Sequence, residues 1–187
     1  MSTDNFRSLF SADMAGWKMA GQGGFRIVGE ETIESYGGPG LYWYERESYE
    51  NFVLKVEYRT MRGDANSGVF IRCPALADDP QPAIARGYEI QIDEYGVDPE
   101  DDKLYSPLHV TGAIYKLARA RIVPSRGAAL GNDFVITVRG DTIEVVLNGE
   151  SVSKLESASR EPRGHIALQA HHEGSNVQFR ALRIAVM

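Results

Sequence analysis

The chain has 187 residues, a net charge of −6 at pH 7 and one cysteine, and 43% of its residues are hydrophobic. This length suits a single domain spanning residues 1–187, and scattered basic residues in an acidic chain argue against nucleic-acid binding. The lone Cys73 excludes an intrachain disulfide, and no stretch approaches the roughly 20 apolar residues that would cross a membrane.

The N-terminus gives the only sequence information on localisation. The first ten residues, MSTDNFRSLF, contain no basic start followed by an apolar run, which is the pattern of a signal peptide. We therefore expect a cytoplasmic protein if the chain is complete, and a secreted or periplasmic protein if a leader has been removed.

Alternation of apolar and polar residues predicts about ten short strands. In chain order, the clearest lie near 25–29, 41–45, 52–59, 67–72, 87–93, 133–139, 142–147, 165–171 and 176–184. The dipeptides Gly140-Asp141 and Asn148-Gly149 predict hairpin turns. The pattern indicates an all-β sandwich or barrel, because a parallel α/β fold would need helices of about ten residues that the sequence cannot place.

Helical and loop segments are few. Helical periodicity is weak, and the best candidates are Asp4–Phe10 and a turn near Ala113–Ala118. Residues 73–86 and 96–102 are rich in Pro, Ala and Asp, so we expect long loops there, and long loops in sandwich proteins often carry function.

Two predicted strands place polar side chains opposite their apolar sets. Glu89, Gln91 and Asp93 share one face of the strand at 87–93, while Gln169 and His171 share one face of the strand at 165–171. Such rows suit a groove for a hydroxyl-rich ligand such as a sugar, with an aromatic ring covering its apolar face. A plain solvated sheet face is the alternative.

Further candidates come from other strands. Arg72 ends the strand at 67–72 on the face opposite Val69 and Ile71, and Glu57 lies on a polar face of the strand at 52–59. The aromatic residues that could cover a sugar ring are Tyr42, Trp43, Tyr44 and Tyr115.

Seven short motifs follow one another along nearly the whole chain. They are SLFSADMAGWK at 8–18, YENFVLKVEYR at 49–59, NSGVFIR at 66–72, GYEIQID at 87–93, TGAIY at 111–115, LNG at 147–149 and GHIALQAHHEGSNVQFRALRI at 164–184. Their order and spacing resemble the 3-keto-disaccharide hydrolase family. The resemblance implies an all-β, concanavalin A-like jelly-roll sandwich of two antiparallel sheets.

The chain departs from the family pattern at three places. LYWYE replaces an expected Trp-Thr, Gly131-Asn132-Asp133 stands where a Glu-Trp-Asn is common, and His172 and Glu173 follow His171. These departures bear on substrate preference more than on the fold.

The resemblance implies cleavage of glycosides that already carry a ketone at C3. The ketone acidifies the hydrogen on C2, so a base can remove it, and the bond from C1 to the leaving oxygen then breaks by β-elimination. Water addition completes a net hydrolysis. We expect His171 to transfer protons, with Glu89 or Asp93 as its partner base or acid. The expected substrate-binding residues are Arg72 at the keto oxygen, and Gln91, Tyr115, Gln169, Asn66 and Glu57.

Other functions and partners stay open at this point. A non-catalytic, lectin-like carbohydrate-binding domain is the main alternative, and an ordinary glucanase of the same fold is a weaker one. No nucleotide cofactor is implied, whereas a divalent metal near His171, Glu89 and Asp93 is left open without a supporting ligand-spacing motif. The expected partner is a 3-keto glycoside, with no nucleic acid and no membrane, and the strand at 176–184 could be a sheet edge that forms a homodimer.

Overall fold

The computed structural model describes residues 5–187, and within them it contains thirteen β-strands and one short helix. The strands are β1 (Arg7–Ser8), β2 (Trp17–Gly21), β3 (Gly24–Gly29), β4 (Thr32–Tyr36), β5 (Gly40–Tyr44), β6 (Phe52–Thr60), β7 (Asn66–Cys73), β8 (Tyr88–Asp93), β9 (Asn132–Arg139), β10 (Thr142–Leu147), β11 (Glu150–Leu155), β12 (His165–Ala170) and β13 (Val177–Val186). The helix, α1, comprises Gln81–Arg86.

The strands form two antiparallel sheets. The eight-stranded sheet has the order β11-β10-β9-β6-β13-β4-β3, with β1 pairing to β13, and the five-stranded sheet has the order β2-β5-β12-β7-β8. The predicted all-β sandwich of two antiparallel sheets is therefore confirmed.

The core lies between the sheets and follows the predicted alternation. On β8, Tyr88, Ile90 and Ile92 are buried in it, and on β12 it contains Ile166 and Leu168. Each fully buried side chain of this size contributes about 1.5–3 kcal/mol. Because successive side chains of a strand point to opposite faces, the polar residues between these positions lie on the outer face of the five-stranded sheet.

Both predicted hairpins are present. Gly140-Asp141 joins β9 to β10 with φ +54° at Gly140, and Asn148-Gly149 joins β10 to β11 with φ values of +51° and +88°. Two positive φ values in succession are those of a type I′ turn, which matches the right-handed twist of the strands it connects.

The segment 73–86, expected to be a loop throughout, contains α1. Pro82 lies in the first turn of the helix, where the missing backbone N–H has no intrahelical partner to lose. Ala83 of α1 packs with Trp43 and Phe70 into a small second core on the outer face of the five-stranded sheet. No helix within residues 5–187 is long and apolar enough to cross a membrane.

The expected helix at Asp4–Phe10 is wrong over its described part, since Asp4 itself lies outside the described residues. Arg7 and Ser8 instead form β1 and pair with Ile184 and Arg183 of β13. Pairing with a long strand supplies backbone hydrogen bonds that a single isolated turn of helix cannot match.

The strand β13 is not a sheet edge. It lies between β6 and β4 in the eight-stranded sheet, so its backbone groups are already paired. The expected dimer contact through this strand is therefore wrong, and a homodimer through another surface stays a prediction.

Candidate functional site

Polar side chains gather on the outer face of the five-stranded sheet, where β12, β7 and β8 lie side by side. One row across the sheet pairs Ala167 of β12 with Phe70 of β7, and Phe70 with Glu89 of β8. In the adjacent row, Gly68 of β7 pairs with Gln91 of β8. Gly68 and Ala167 are thus the small residues of this face, whereas Phe70 packs into the second core.

A third row lies toward the end of β8, where Asn66 pairs with Asp93. Gln169 and His171 follow Ala167 at two-residue intervals and so belong to the same face. We call this surface the polar patch. Its residues are Asn66, Glu89, Gln91, Asp93, Tyr115, Gln169 and His171. The structure thus brings together seven of the nine residues expected from the sequence.

Glu89 is the most perturbed acid of the polar patch. Its side chain lies over Gly68, and burial raises its pKa from 4.5 to about 8. The Gln91 side-chain nitrogen donates to Glu89 Oε1 at 3.1 Å and to the Ser67 carbonyl at 3.3 Å, in the amide orientation that satisfies both contacts. With a pKa of about 8, roughly one Glu89 side chain in ten is ionised at pH 7, so it can both release and take up a proton near neutral pH.

Asp93 is held more rigidly than Glu89. It is buried, its Oδ2 accepts from Asn66 Nδ2 at 2.9 Å, and its Oδ1 accepts from the Tyr95 backbone N–H at 2.9 Å. Both carboxylate oxygens are thus engaged. This arrangement favours Asp93 as a fixed acceptor that orients Asn66.

His171 is half-buried and bonded to its neighbour in sequence. Its Nδ1 lies 2.8 Å from Nδ1 of His172. Burial lowers the pKa of His171, the nearby His172 lowers it further, and Asp93 partly opposes the shift. Within residues 5–187, no hydrogen bond joins His171 to a carboxylate, so the imidazole is predominantly neutral at pH 7.

Residues 111–115 extend the polar patch along the edge of β8. The Tyr115 backbone N–H donates to the Glu89 carbonyl at 2.9 Å, and the Thr111 N–H donates to the Asp93 carbonyl at 2.9 Å. Burial raises the pKa of Tyr115, and the charge of Glu89 raises it further. The His109 ring packs edge-on against the Tyr115 ring, with centroids 5.0 Å apart.

Unpartnered polar atoms concentrate around the same surface. Among the described residues, five buried side-chain atoms lack a hydrogen-bond partner, and four of them belong to Trp43 (Nε1), Asn66 (Oδ1), His109 (Nε2) and Gln169 (Oε1). Leaving such an atom unpaired costs about 1–3 kcal/mol. Their clustering gives the polar patch free donors and acceptors of the kind that bind sugar hydroxyls.

The sequence does not indicate that His109 lies beside the polar patch. This residue lies in the long connection after β8, which has no strand periodicity, and its position beside Tyr115 arises only from tertiary pairing. No local sequence signal identifies it.

The aromatic candidates divide between the two faces of the sheet. Tyr42 points inward and stacks against Trp17 and Phe25, with ring centroids 5.2 and 5.1 Å apart, and Tyr44 is also in the core. Trp43 points outward, as strand alternation requires. Of the predicted platforms, only Trp43 and Tyr115 border the polar patch.

Arg72 does not join the polar patch, so its predicted position is wrong. It has a φ of +51°, and the pairing of β12 with β7 shifts register beside it, which breaks the alternation. The buried guanidinium instead donates to the carbonyls of Glu50 at 2.6 Å and Gly140 at 2.8 Å. Arg72 therefore ties β7 to the end of the eight-stranded sheet.

Glu57 is also distant from the polar patch, because β6 belongs to the other sheet. Its carboxylate accepts from Arg180 Nε at 2.8 Å. A cavity of about 530 Å³ lies beside this pair, on the outer face of the eight-stranded sheet. Its arginines already pair with neighbouring side chains, and its lining includes one buried unpartnered atom, the Tyr58 hydroxyl, against four around the polar patch.

Among the residues that the structure describes, no set of ligands for the predicted divalent metal is found. Within residues 5–187, no group of three or more His, Cys, Asp or Glu side chains is arranged to hold a metal ion. His171, Glu89 and Asp93 do not converge on one point, and a divalent metal stays a prediction.

Solved structures share this fold at low sequence identity. A protein assigned as a glycosyl hydrolase from Parabacteroides distasonis matches with a TM-score of 0.82 and 20% identity, over 98% of this chain and 94% of that one. The carbohydrate-binding module CBM66 from Bacillus subtilis matches with a TM-score of 0.61 and 13% identity, over 94% and 99% of the two chains. The exoplasmic domain of VIP36, solved with Ca²⁺ and Man3GlcNAc, has a TM-score of 0.61 and 12% identity, over 93% and 84%. These likenesses confirm the jelly-roll fold.

Sequence comparison identifies the family. Among curated proteins, no sequence matches this chain. A family model described as the 3-keto-alpha-glucoside-1,2-lyase-like domain matches residues 5–185, which is nearly the whole chain. The protein therefore belongs to the 3-keto-alpha-glucoside-1,2-lyase-like domain family.

Proposed function

We propose that the protein cleaves 3-keto glycosides by removing the proton on C2, eliminating the group on C1 and adding water. Family membership supports a carbohydrate-related function, and the polar patch provides groups suited to this chemistry. A ketone at C3 makes the C2 proton removable by a carboxylate, so the reaction needs one well-placed base rather than the two flanking carboxylates of an ordinary glycosidase.

The raised pKa of Glu89, together with its position over Gly68, is the observation that carries the proposal. Burial raises this pKa to about 8, which makes the ionised carboxylate a stronger base than an exposed Glu while keeping it accessible near neutral pH. The Gln91 N–H that contacts Oε1 orients the carboxyl group. Because Gly68 has no side chain, the Glu89 carboxyl group can lie directly over it on the outer face of the sheet.

The remaining residues supply binding and proton transfer. Trp43 Nε1 and the Tyr115 hydroxyl are the donors that we assign to the keto oxygen, in place of Arg72, because enolate charge develops on that oxygen. Gln169 Oε1 is free to accept from a sugar hydroxyl. We assign protonation of the leaving oxygen to His171, whose neutral ring can donate or accept at Nε2.

A carbohydrate-binding domain without catalysis is the second candidate. It is favoured by the lack of a His171–carboxylate hydrogen bond among the described residues and by the fold shared with a carbohydrate-binding module. A binding site needs only donors, acceptors and aromatic surface. The raised pKa of Glu89 has no use in such a site, and for this reason we favour the enzyme.

Release of p-nitrophenol from its 3-keto glucoside tests the proposal. We expect release by the wild type and a decrease of about 10²–10⁴-fold for Glu89→Gln, the range typical of losing a general base. Glu144→Gln is the matched control, because Glu144 is exposed on β10 and pairs with Lys154. Sugar binding without release from any 3-keto substrate would support the lectin-like alternative, and activity on the unoxidised glucoside would identify an ordinary glucanase.

A further inference from the structure

The two adjacent histidines, His171 and His172, connect the polar patch to solvent. His171 is half-buried, whereas His172 is exposed. Their Nδ1 atoms lie 2.8 Å apart and the rings meet at 82°. One Nδ1 must carry the proton and the other must accept it, because a hydrogen bond at this distance has room for a single proton.

We propose that His172 is a proton relay, carrying protons between solvent and His171 during cleavage of the glycoside. This inference rests on the proposed function. It assigns a role to His172, an exposed residue outside the polar patch.

The relay balances the protons of both half-reactions. In the elimination, the C2 proton passes to Glu89 and the C1–O bond breaks. The leaving oxygen takes the proton from His171 Nε2, His171 Nδ1 receives the proton of His172 Nδ1, and solvent supplies His172 Nε2. Both rings are neutral before and after this step.

The hydration reverses every transfer. Water adds its oxygen to C1 and gives its proton to His171 Nε2, while Glu89, whose carboxyl proton exchanges with solvent between the two steps, donates a proton to C2. His171 Nδ1 passes its proton back to His172 Nδ1, and His172 Nε2 releases one to solvent. The pair is thus reset after each turnover, and the net change is addition of one water molecule to the glycoside.

Charged side chains face both histidines of the pair. Asp93 faces His171 from β8, and Asp64 faces His172 from the connection between β6 and β7. Asp64 is already paired with Arg62 through two hydrogen bonds of 2.8 and 2.7 Å. Burial of His171 outweighs the attraction of Asp93, and the pKa of His171 is lowered.

Two substrates that differ in their leaving group distinguish a proton relay through His172 from a purely structural role of this residue. His172→Gln keeps a polar side chain at an exposed position but cannot pass protons between two ring nitrogens. We expect cleavage of methyl 3-keto glucoside to fall about tenfold or more, because an alkoxide must be protonated as it leaves. Release of p-nitrophenol, a stable anion, should stay within about twofold of the wild type.

A rescue experiment and a control complete the test. Added imidazole should restore methyl glucoside cleavage in His172→Gln, since a soluble base can carry the same proton. The exposed neighbour Glu173→Gln should leave both substrates unaffected. Equal loss on both substrates, or no loss on either, would overturn the relay alone, whereas a wild type inactive on both would overturn the proposed function and the relay with it.

Discussion

The Glu89 carboxyl group lies directly over the α-carbon of Gly68. A β-carbon at residue 68 would come closest to Glu89 Oε1 and within 2.8 Å of its Cγ, closer than real β-carbons essentially ever come. The two residues lie on paired strands, β7 and β8, and Gly68 has no side chain that could displace the acid. The position of the proposed base therefore depends on a glycine one strand away.

Substituting Gly68 tests this dependence. We expect Gly68→Ala to push the Glu89 side chain aside, reducing p-nitrophenol release from the 3-keto glucoside by at least about tenfold and destabilising the fold by roughly 1–3 kcal/mol. Gly131→Ala is the matched control, because a β-carbon there meets nothing within 4 Å. Full activity in Gly68→Ala would show that the carboxyl position does not matter.

The raised pKa of Glu89 predicts a pH-dependent stability. Its pKa in the folded state is about 8 and its ordinary value is 4.5, so the folded chain holds this proton more tightly than the unfolded chain does. The stabilisation is complete below about pH 4.5 and is lost as the pH rises through about 8.

Urea unfolding at pH 5 and pH 9 measures this effect. Between these values the wild type should lose more unfolding free energy than Glu89→Gln, which has no titrating group at residue 89. Identical losses in the two proteins would mean that Glu89 titrates normally, and would remove the physical basis for its role as a base.

Arg72 should stabilise the protein without taking part in catalysis. Arg72→Met removes donors to the Glu50 and Gly140 carbonyls and leaves those acceptors unpaired, so we expect a loss of about 2–4 kcal/mol in unfolding free energy. Activity per folded molecule should stay within about threefold of the wild type. An unchanged stability with a large loss of turnover would instead place Arg72 at the substrate.

Gln169 offers a test of substrate binding. Its Oε1 is buried without a partner among the described residues, so Gln169→Leu removes an unsatisfied acceptor and should cost little stability. We expect KM for the 3-keto glucoside to rise about tenfold as a sugar hydroxyl loses its acceptor, with kcat less affected. A KM equal to that of the wild type would exclude Gln169 from the binding surface.

The sequence predicts the polar patch where strands alternate regularly. The apolar residues Tyr88, Ile90 and Ile92 fix the face of β8, and this places Glu89 and Gln91 outside. The alternation also suggests a groove for a hydroxyl-rich ligand, and the family resemblance adds the 3-keto glycoside as its expected substrate.

The sequence-based prediction of a residue's position fails where the backbone departs from regular strand geometry. It also fails where the position depends on contacts between segments that are distant in the sequence. The positive φ of Arg72 reverses the direction that simple alternation assigns to it. Glu57 alternates correctly on its strand, but the sequence does not reveal that β6 belongs to the opposite sheet. His109 reaches the site through a connection without periodicity, so only the folded chain identifies it.

Deuterium incorporation tests the central claim most directly, namely that Glu89 exchanges a proton with C2 of a 3-keto glycoside. The wild type and Glu89→Gln would each be incubated with methyl 3-keto glucoside in D₂O, and the released 3-keto sugar examined by NMR. We expect deuterium at C2 in the wild-type product, well above the exchange seen with Glu89→Gln over the same time. Release of product with hydrogen retained at C2 would contradict the elimination mechanism.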